Sequence, residues 1–280
     1  MKAKKLTILI SIFLIVTLII VLASTIFTLK TVSFNFLNKK YVLEANELQD
    51  YVKNVNIPYG DSIFLLDKDQ LATDLEKNNA YLKVVKIETT FPSNIVIHAS
   101  EREELFAIKV EDNKYAVVDK GLKILRYCTD EYLNQDQLRP IVVEIGYADV
   151  DFADYNYQLC DFVEISHVSE ILKSISTAFE KSGYNITSLK GFANKITLNE
   201  SANFKKSNTS TEYDLEFVKT VEIDTKYGIK LSINNAYQYF DKKIALALGA
   251  YEMEHDKHNT DGEILVFEKE DKIVGVYRKD

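Results

Sequence analysis

Apolar positions run unbroken near the start of the chain and fall into short periods after it. "LTILISIFLIVTLIIVLASTIFTL", residues 6–29, carries no charge. As a helix rising ~1.5 Å per residue it reaches ~36 Å, enough to cross a hydrocarbon core of ~30 Å with some tilt. Lys2, Lys4 and Lys5 precede it and favour a cytoplasmic N-terminus, with residues 1–5 as a short tail. The competing reading is a cleaved signal peptide. Its apolar core would run ~7–15 residues to a small-residue cleavage site, whereas the exit "STIFTLK" has no A-x-A pattern. The stretch 6–29 therefore reads as one transmembrane helix.

Beyond it the period changes. "TVSFNFL" alternates Val32, Phe34 and Phe36 onto one face, which predicts a strand. "EANELQDYVKNV" spaces Leu48, Tyr51, Val52 and Val55 as a helix does, and Pro58 and "YGDS" break it. Asp67 with Gln70 three residues on is a variant capping box, opening a short helix on Leu71, Ala72 and Leu75. "YLKVVKIETT" and "SNIVIHAS" then predict two strands with Phe91-Pro92-Ser93-Asn94 between them. Proline has no N–H for a ladder and belongs in that turn, while Ile95, Ile97 and Ala99 face the two helices.

From about residue 105 the runs shorten. "LFAIKV", "KYAVVD", "LKILRY", "PIVVEIG" and "CDFVEIS" predict strands. Ser166 caps a helix on Val168, Ile171, Leu172, Ile175 and Phe179, stopped by Gly183. "NITSLKGFANKITLN" predicts two strands, and the polar stretch 199–214 a long loop or ragged hairpin. "YGIKLSIN" predicts a strand, and "AYQYFDKKIALALGAYEME" a helix with Tyr237, Phe240, Ile244, Ala247 and Leu248 inward. "GEILVFEKEDKIVGVYRKD" predicts a closing hairpin with its tip at Lys269–Lys272. The expected class is α+β: a small β-α-α-β-β module at 31–101, then a mixed β-sheet domain with two helices at 102–280.

Charge narrows the partners. All acidic residues lie beyond residue 30. With the four lysines at 2, 4, 5 and 30 set aside, the net charge of −8 becomes −12. Such a domain is poorly suited to nucleic acid and stands off anionic lipid. Cys128 and Cys160 form no C-x-x-C and are read as one disulfide or as two buried thiols.

The search for chemistry returns little. No G-x-S-x-G, S-x-x-K set, H-E-x-x-H or glycine-rich phosphate loop occurs. In "EMEHDKH", His255 and His258 share a helix face with carboxylates and could hold a metal. The simpler reading is a polar helix end, where the dipole favours histidine. His98 alternates onto a strand face as a structural residue. Glu101-Arg102-Glu103-Glu104 reads as a charged strand end with an ion pair.

Taken together, Val32 to Phe106 resembles the POTRA domain of the FtsQ/DivIB family of bacterial cell-division proteins. "YGDSIFLLDKDQLATDL" is similar to the family's Gly-polar-Ile-Phe segment with its Asp and second helix. "YLKVVKIETTFPSNIVIHASER" is similar to its paired strands with Pro at the turn and a Glu-Arg close. "KYAVVDKGLKIL" with Asp119 and Gly121, "YGIKLSINNAYQYFDKKIALAL" with Lys243, and "DGEILVFEKEDKIVGVY" resemble parts of its β domain.

The resemblance implies a non-enzymatic, single-pass scaffold of the division septum, with its C-terminus outside the cell membrane. It implies no catalytic residue, cofactor or metal. The implied partners are FtsL-type and FtsB/DivIC-type coiled-coil proteins and the septal peptidoglycan synthase complex. The implied partner-binding residues lie on the last strand, at Val274, Val276 and Tyr277, where a sheet edge recruits a strand through its backbone. The alternatives are a membrane-anchored extracytoplasmic cell-wall enzyme and a POTRA-bearing assembly or secretion chaperone.

Overall fold

The computed structural model describes residues 2–38, 48–135, 139–147, 150, 152–181, 189–206 and 213–279. They divide into two compact units, Met1–Arg102 and Glu103–Asp280.

The first unit opens with helix α1, Lys2–Ile26. Among the described residues no helix is long and apolar enough to cross a membrane. In α1 the described side chains are 10–21 and 25–26, whereas the backbone helix is 25 residues long. Strand β1, Thr31–Asn38, helix α2, Leu48–Val52, and helix α3, Lys68–Asn78, follow. Strands β2, Leu82–Thr90, and β3, Asn94–Glu101, close the unit. The sheet order is β1-β3-β2, with β3 parallel to β1 and antiparallel to β2.

Being central, β3 alternates strictly. Ile95, Ile97 and Ala99 are buried with Tyr51, Leu71, Leu75 and Leu82 from the surrounding elements. Asp67 caps α3 by accepting from the Gln70 N–H at 2.9 Å. Only half of the expected capping box forms, because the Gln70 side chain donates forward to Asp74 instead. Phe91-Pro92 is a cis bond in the β2–β3 turn.

The second unit is built on nine strands in the order β12-β11-β10-β9-β8-β7-β4-β5-β6. Their ranges are β4 Phe106–Glu111, β5 Lys114–Val118, β6 Ile124–Cys128, β7 Ile141–Gly146, β8 Ala193–Lys206, β9 Tyr213–Thr225, β10 Lys230–Asn234, β11 Glu263–Lys269 and β12 Lys272–Arg278. The pairs β4–β7, β7–β8 and β10–β11 are parallel and the rest antiparallel. The short α4, Asp130–Gln135, sends Leu133 into a cluster with Ala107, Tyr115, Val117 and Cys128. The alternate residues Phe106, Ile108, Ala116 and Val118 join the main core, so the two clusters lie on opposite faces. In the main core lie α5, Val168–Lys181, and α7, Phe240–Asp256; a single turn α6, Leu189–Phe192, precedes β8.

Three expectations change here, and one left between two forms is decided. "CDFVEIS" forms no strand; it contributes one bridge, Phe162 to Lys123, while Val163 and Ile165 are fully buried. The first strand expected in "NITSLKGFANKITLN" is replaced by α6 where described. Residues 182–188, with Gly183, lie outside the described residues. Of the polar stretch 199–214, read as a long loop or a ragged hairpin, the described residues 199–206 and 213–214 take the hairpin form, in a ladder that runs from Ala193↔Thr225 to Lys206↔Tyr213. Tyr237 precedes α7, is 36% exposed and stacks on His167, with ring centroids 4.0 Å apart.

Candidate functional site

The closing hairpin is fixed by its turn. Glu270 and Asp271 both have positive φ, 51° and 60°, and Lys269 faces Lys272 across them. Two left-handed residues make a type I′ turn, whose flanking residues exchange both backbone hydrogen bonds. Counting back in steps of two along the register, Phe267↔Val274, Leu265↔Val276 and Glu263↔Arg278 also bond to each other. The backbone groups of Ile273, Gly275 and Tyr277 therefore point away from β11.

That outer side is open. The order of the sheet ends at β12, and no strand pairs beyond it among the described residues. The opposite end differs. On β6, Ile124 N–H donates to Asp161 O at 2.8 Å and Cys160 N–H to Ile124 O at 3.1 Å, so a non-strand segment is bonded to the start of that edge.

The side chains of β12 divide by face. Ile273 and Tyr277 pack on the main core, and a Cβ on Gly275 would meet Leu246 of α7 at 3.5 Å. Tyr277 Oη also donates to Asp261 O at 2.8 Å. Val274 and Val276 take the other face beside Phe267 and Leu265, with Val276 39% exposed. The three residues named from the sequence thus sit on one strand in two roles. Val274 and Val276 supply an apolar face, and Tyr277 supplies an outward backbone. Ile273 and Gly275 share that second role and carry no sequence signal of it; only the register set by a two-residue turn picks them out.

Behind the hairpin is a buried cation. Lys243, fully buried, donates to Asn234 O at 3.1 Å and Asn235 O at 2.9 Å, and its Nζ lies 2.5 Å from Glu268 Oε1. Asn235 is left-handed, φ 51°, within the loop that presents these carbonyls. One ammonium thereby ties β11 to the end of β10.

In the first unit, Arg102 ends the fold. Its N–H donates to Tyr81 O at 2.8 Å, its Nε to Leu82 O at 3.1 Å and its Nη2 to Glu76 at 2.6 Å. The other Glu76 oxygen accepts from Val84 N–H at 2.8 Å. The pair fastens α3 to the start of β2. Across the unit boundary in sequence, Glu104 pairs with Arg126 at 2.6 and 3.0 Å within the second unit. These charges are engaged in structure on both sides of the junction.

Residues 45–102, which hold α2, α3, β2 and β3, match the family model described as POTRA domain, FtsQ-type. The chain carries an FtsQ-type POTRA domain. The match supports assignment to the FtsQ/DivIB family, and a domain of this type supports a cell-division, scaffold-like role. No curated protein matches the chain.

Within the POTRA domain His98 is structural. Its Nε2 lies 2.9 Å from Glu88 and its Nδ1 3.3 Å from Asn35, so it bridges β1, β3 and β2. Lys86 first and His98 second hold the Glu88 carboxyl below its ordinary range. Outside it, no group of three or more His, Cys, Asp or Glu is placed for a metal among the described residues. Near His255 and His258, Glu254 already accepts from Lys257 and Asn259, both at 2.7 Å, which lowers its pKa. The His255 ring stacks on Tyr251, and His258 lies past the end of α7 with φ 62°. Cys128 and Cys160 are both thiols; burial pushes the Cys128 thiol up, away from the reactive thiolate.

Proposed function

We propose that this protein is a non-enzymatic, single-pass membrane scaffold of the bacterial division complex. In this reading α1 is the anchor, the N-terminus is cytoplasmic and both units lie outside the membrane at the septum. The scaffold links FtsL-type and FtsB/DivIC-type coiled-coil proteins to septal peptidoglycan synthesis.

The observation that carries the reading is the open outer side of β12 in a chain with an FtsQ-type POTRA domain. An added strand would take its hydrogen bonds from the Ile273, Gly275 and Tyr277 backbones. Its apolar side chains would meet Val274 and Val276. Affinity then comes from the backbone and specificity from alternate side chains.

The test uses Gly275→Pro. It removes one outward donor while leaving the ladder to β11 intact, and proline is tolerated on an edge. Losing one bond and stranding the partner's carbonyl costs about 1.4 kcal/mol, so capture of an FtsB/DivIC-type partner should weaken about tenfold with the fold retained. Unchanged capture refutes the edge. A tagged chain spread uniformly over the membrane, without enrichment at midcell, refutes the divisome role.

A further inference from the structure

The first unit carries an exposed apolar cluster where the chain leaves α1. Phe27, Phe64 and Phe91 form a ring trio, with centroids 5.4, 5.6 and 6.1 Å apart. Phe64 is 61% exposed, Phe91 60%, Tyr59 55% and Leu65 85%. Their positions are tied to the helix exit by backbone bonds. Ile63 N–H donates to Phe27 O at 2.9 Å, Gly60 N–H to Leu29 O at 2.9 Å and Leu29 N–H to Asp61 O at 2.8 Å. From the other turn, Ser93 O accepts from Lys30 N–H at 2.8 Å.

This geometry fixes depth. The uncharged part of α1, residues 6–26, rises about 32 Å, which uses up a hydrocarbon core of ~30 Å. Phe27, the next residue, then lies at the boundary. Hydrogen-bonded strands run about 5 Å apart, and each interfacial zone is ~5–7 Å deep. The turns holding Phe64, Leu65 and Phe91 are thereby held at the level of the lipid headgroups. Aromatic rings favour that zone.

We propose that this cluster is a lipid-docking surface that seats the POTRA domain on the bilayer through the Phe64–Leu65 and Phe91 turns. The inference rests on the reading of α1 as an anchor. The contact is apolar rather than electrostatic, because the chain beyond residue 30 is acidic. Phosphatidylcholine is therefore the appropriate surface.

The chain has no tryptophan, so single tryptophans report depth without background. The full-length chain is reconstituted in phosphatidylcholine vesicles carrying a quencher either deep or shallow on the acyl chain. Leu14→Trp should be quenched best by the deep label and Phe64→Trp by the shallow one. Val85→Trp, at an exposed site in the middle of β2, should be quenched by neither. Adding Leu65→Asp to Phe64→Trp should reduce shallow quenching at least twofold. If Leu14→Trp is quenched and Phe64→Trp is no more quenched than Val85→Trp, docking is overturned and the anchor stands. Shallow quenching indifferent to Leu65→Asp also overturns docking. An unquenched Leu14→Trp overturns the anchor and docking together.

Discussion

Replacing Lys243 with methionine isolates the polar work of the buried ammonium. The thioether keeps most of the stem's volume, so the change reports lost contacts more than a cavity. Three acceptors lose their donor: the Asn234 and Asn235 carbonyls and Glu268. Breaking a buried ion pair by removing one partner costs ~3–5 kcal/mol. The Glu268 side chain is 29% exposed and regains water, which places the loss near the lower end, about 3 kcal/mol.

The assay is urea unfolding of residues 103–280, the second compact unit, followed by far-ultraviolet circular dichroism because tryptophan is absent. With a slope of ~2 kcal/mol per molar urea, the midpoint should fall by ~1.5 M. The double variant Lys243→Met/Glu268→Leu should recover at least ~1 kcal/mol relative to Lys243→Met, since it no longer strands a carboxylate. A loss below ~1 kcal/mol for Lys243→Met would refute the reasoning and make the lysine a passive filler of its site.

Two further outcomes follow from the backbone and from burial. Replacing Glu270-Asp271 with Asn-Gly, the sequence that type I′ turns prefer, should stabilise the second unit by ~1 kcal/mol in the same urea assay, because left-handed backbone costs most other residues. An unchanged midpoint would refute the turn assignment on which the outward edge groups depend. Burial pushes the Tyr251 phenol up to about 12, and burial aided by Asp130 does the same for Tyr115. Unfolded tyrosine ionises near ~10, so between there and about 12 the folded state binds more protons and stability falls as pH rises. Phenolate absorbance should show a late-titrating class that includes Tyr115 and Tyr251, and a reduction of that class by two tyrosines in Tyr115→Phe/Tyr251→Phe checks the assignment.

The first unit was readable because each of its signals was local. Alternation in "SNIVIHAS" matches β3, the Asp67 cap starts α3, and Pro92 marks the turn. The central strand is buried on one face, and that burial writes its period into the sequence. Strand β9 carries an alternation of its own, with Val221 and Ile223 buried, that the reading leaves unassigned. The polar end of β8 reads as loop or ragged hairpin because ladder bonds are made by the backbone whatever the side chains are. "CDFVEIS" misled for the converse reason. Val163 and Ile165 are buried without strand pairing, so alternation there reports burial alone. At the edge, Val274, Val276 and Tyr277 were legible as a strand. The division between β11-facing and outward backbone required knowing that the turn has two residues. Arg102 was visible as a charge but its partner Glu76 was not, since they meet only when α3 packs beside β2.

The unlike ends of the nine-stranded sheet set a limit on self-assembly. Pairing β12 of one copy with β6 of the next would be head-to-tail, and such contacts propagate into open fibres. The segment bonded at Ile124 occupies the start of β6 and so shortens the receiving half of that contact. Pairing of β12 with β12 meets no such block: it is a two-fold pairing that closes on itself and uses up both edges. Among the described residues the nine-stranded sheet thus presents one unblocked edge, and a copy paired through β12 with its twin has no second β12 from which a chain could grow.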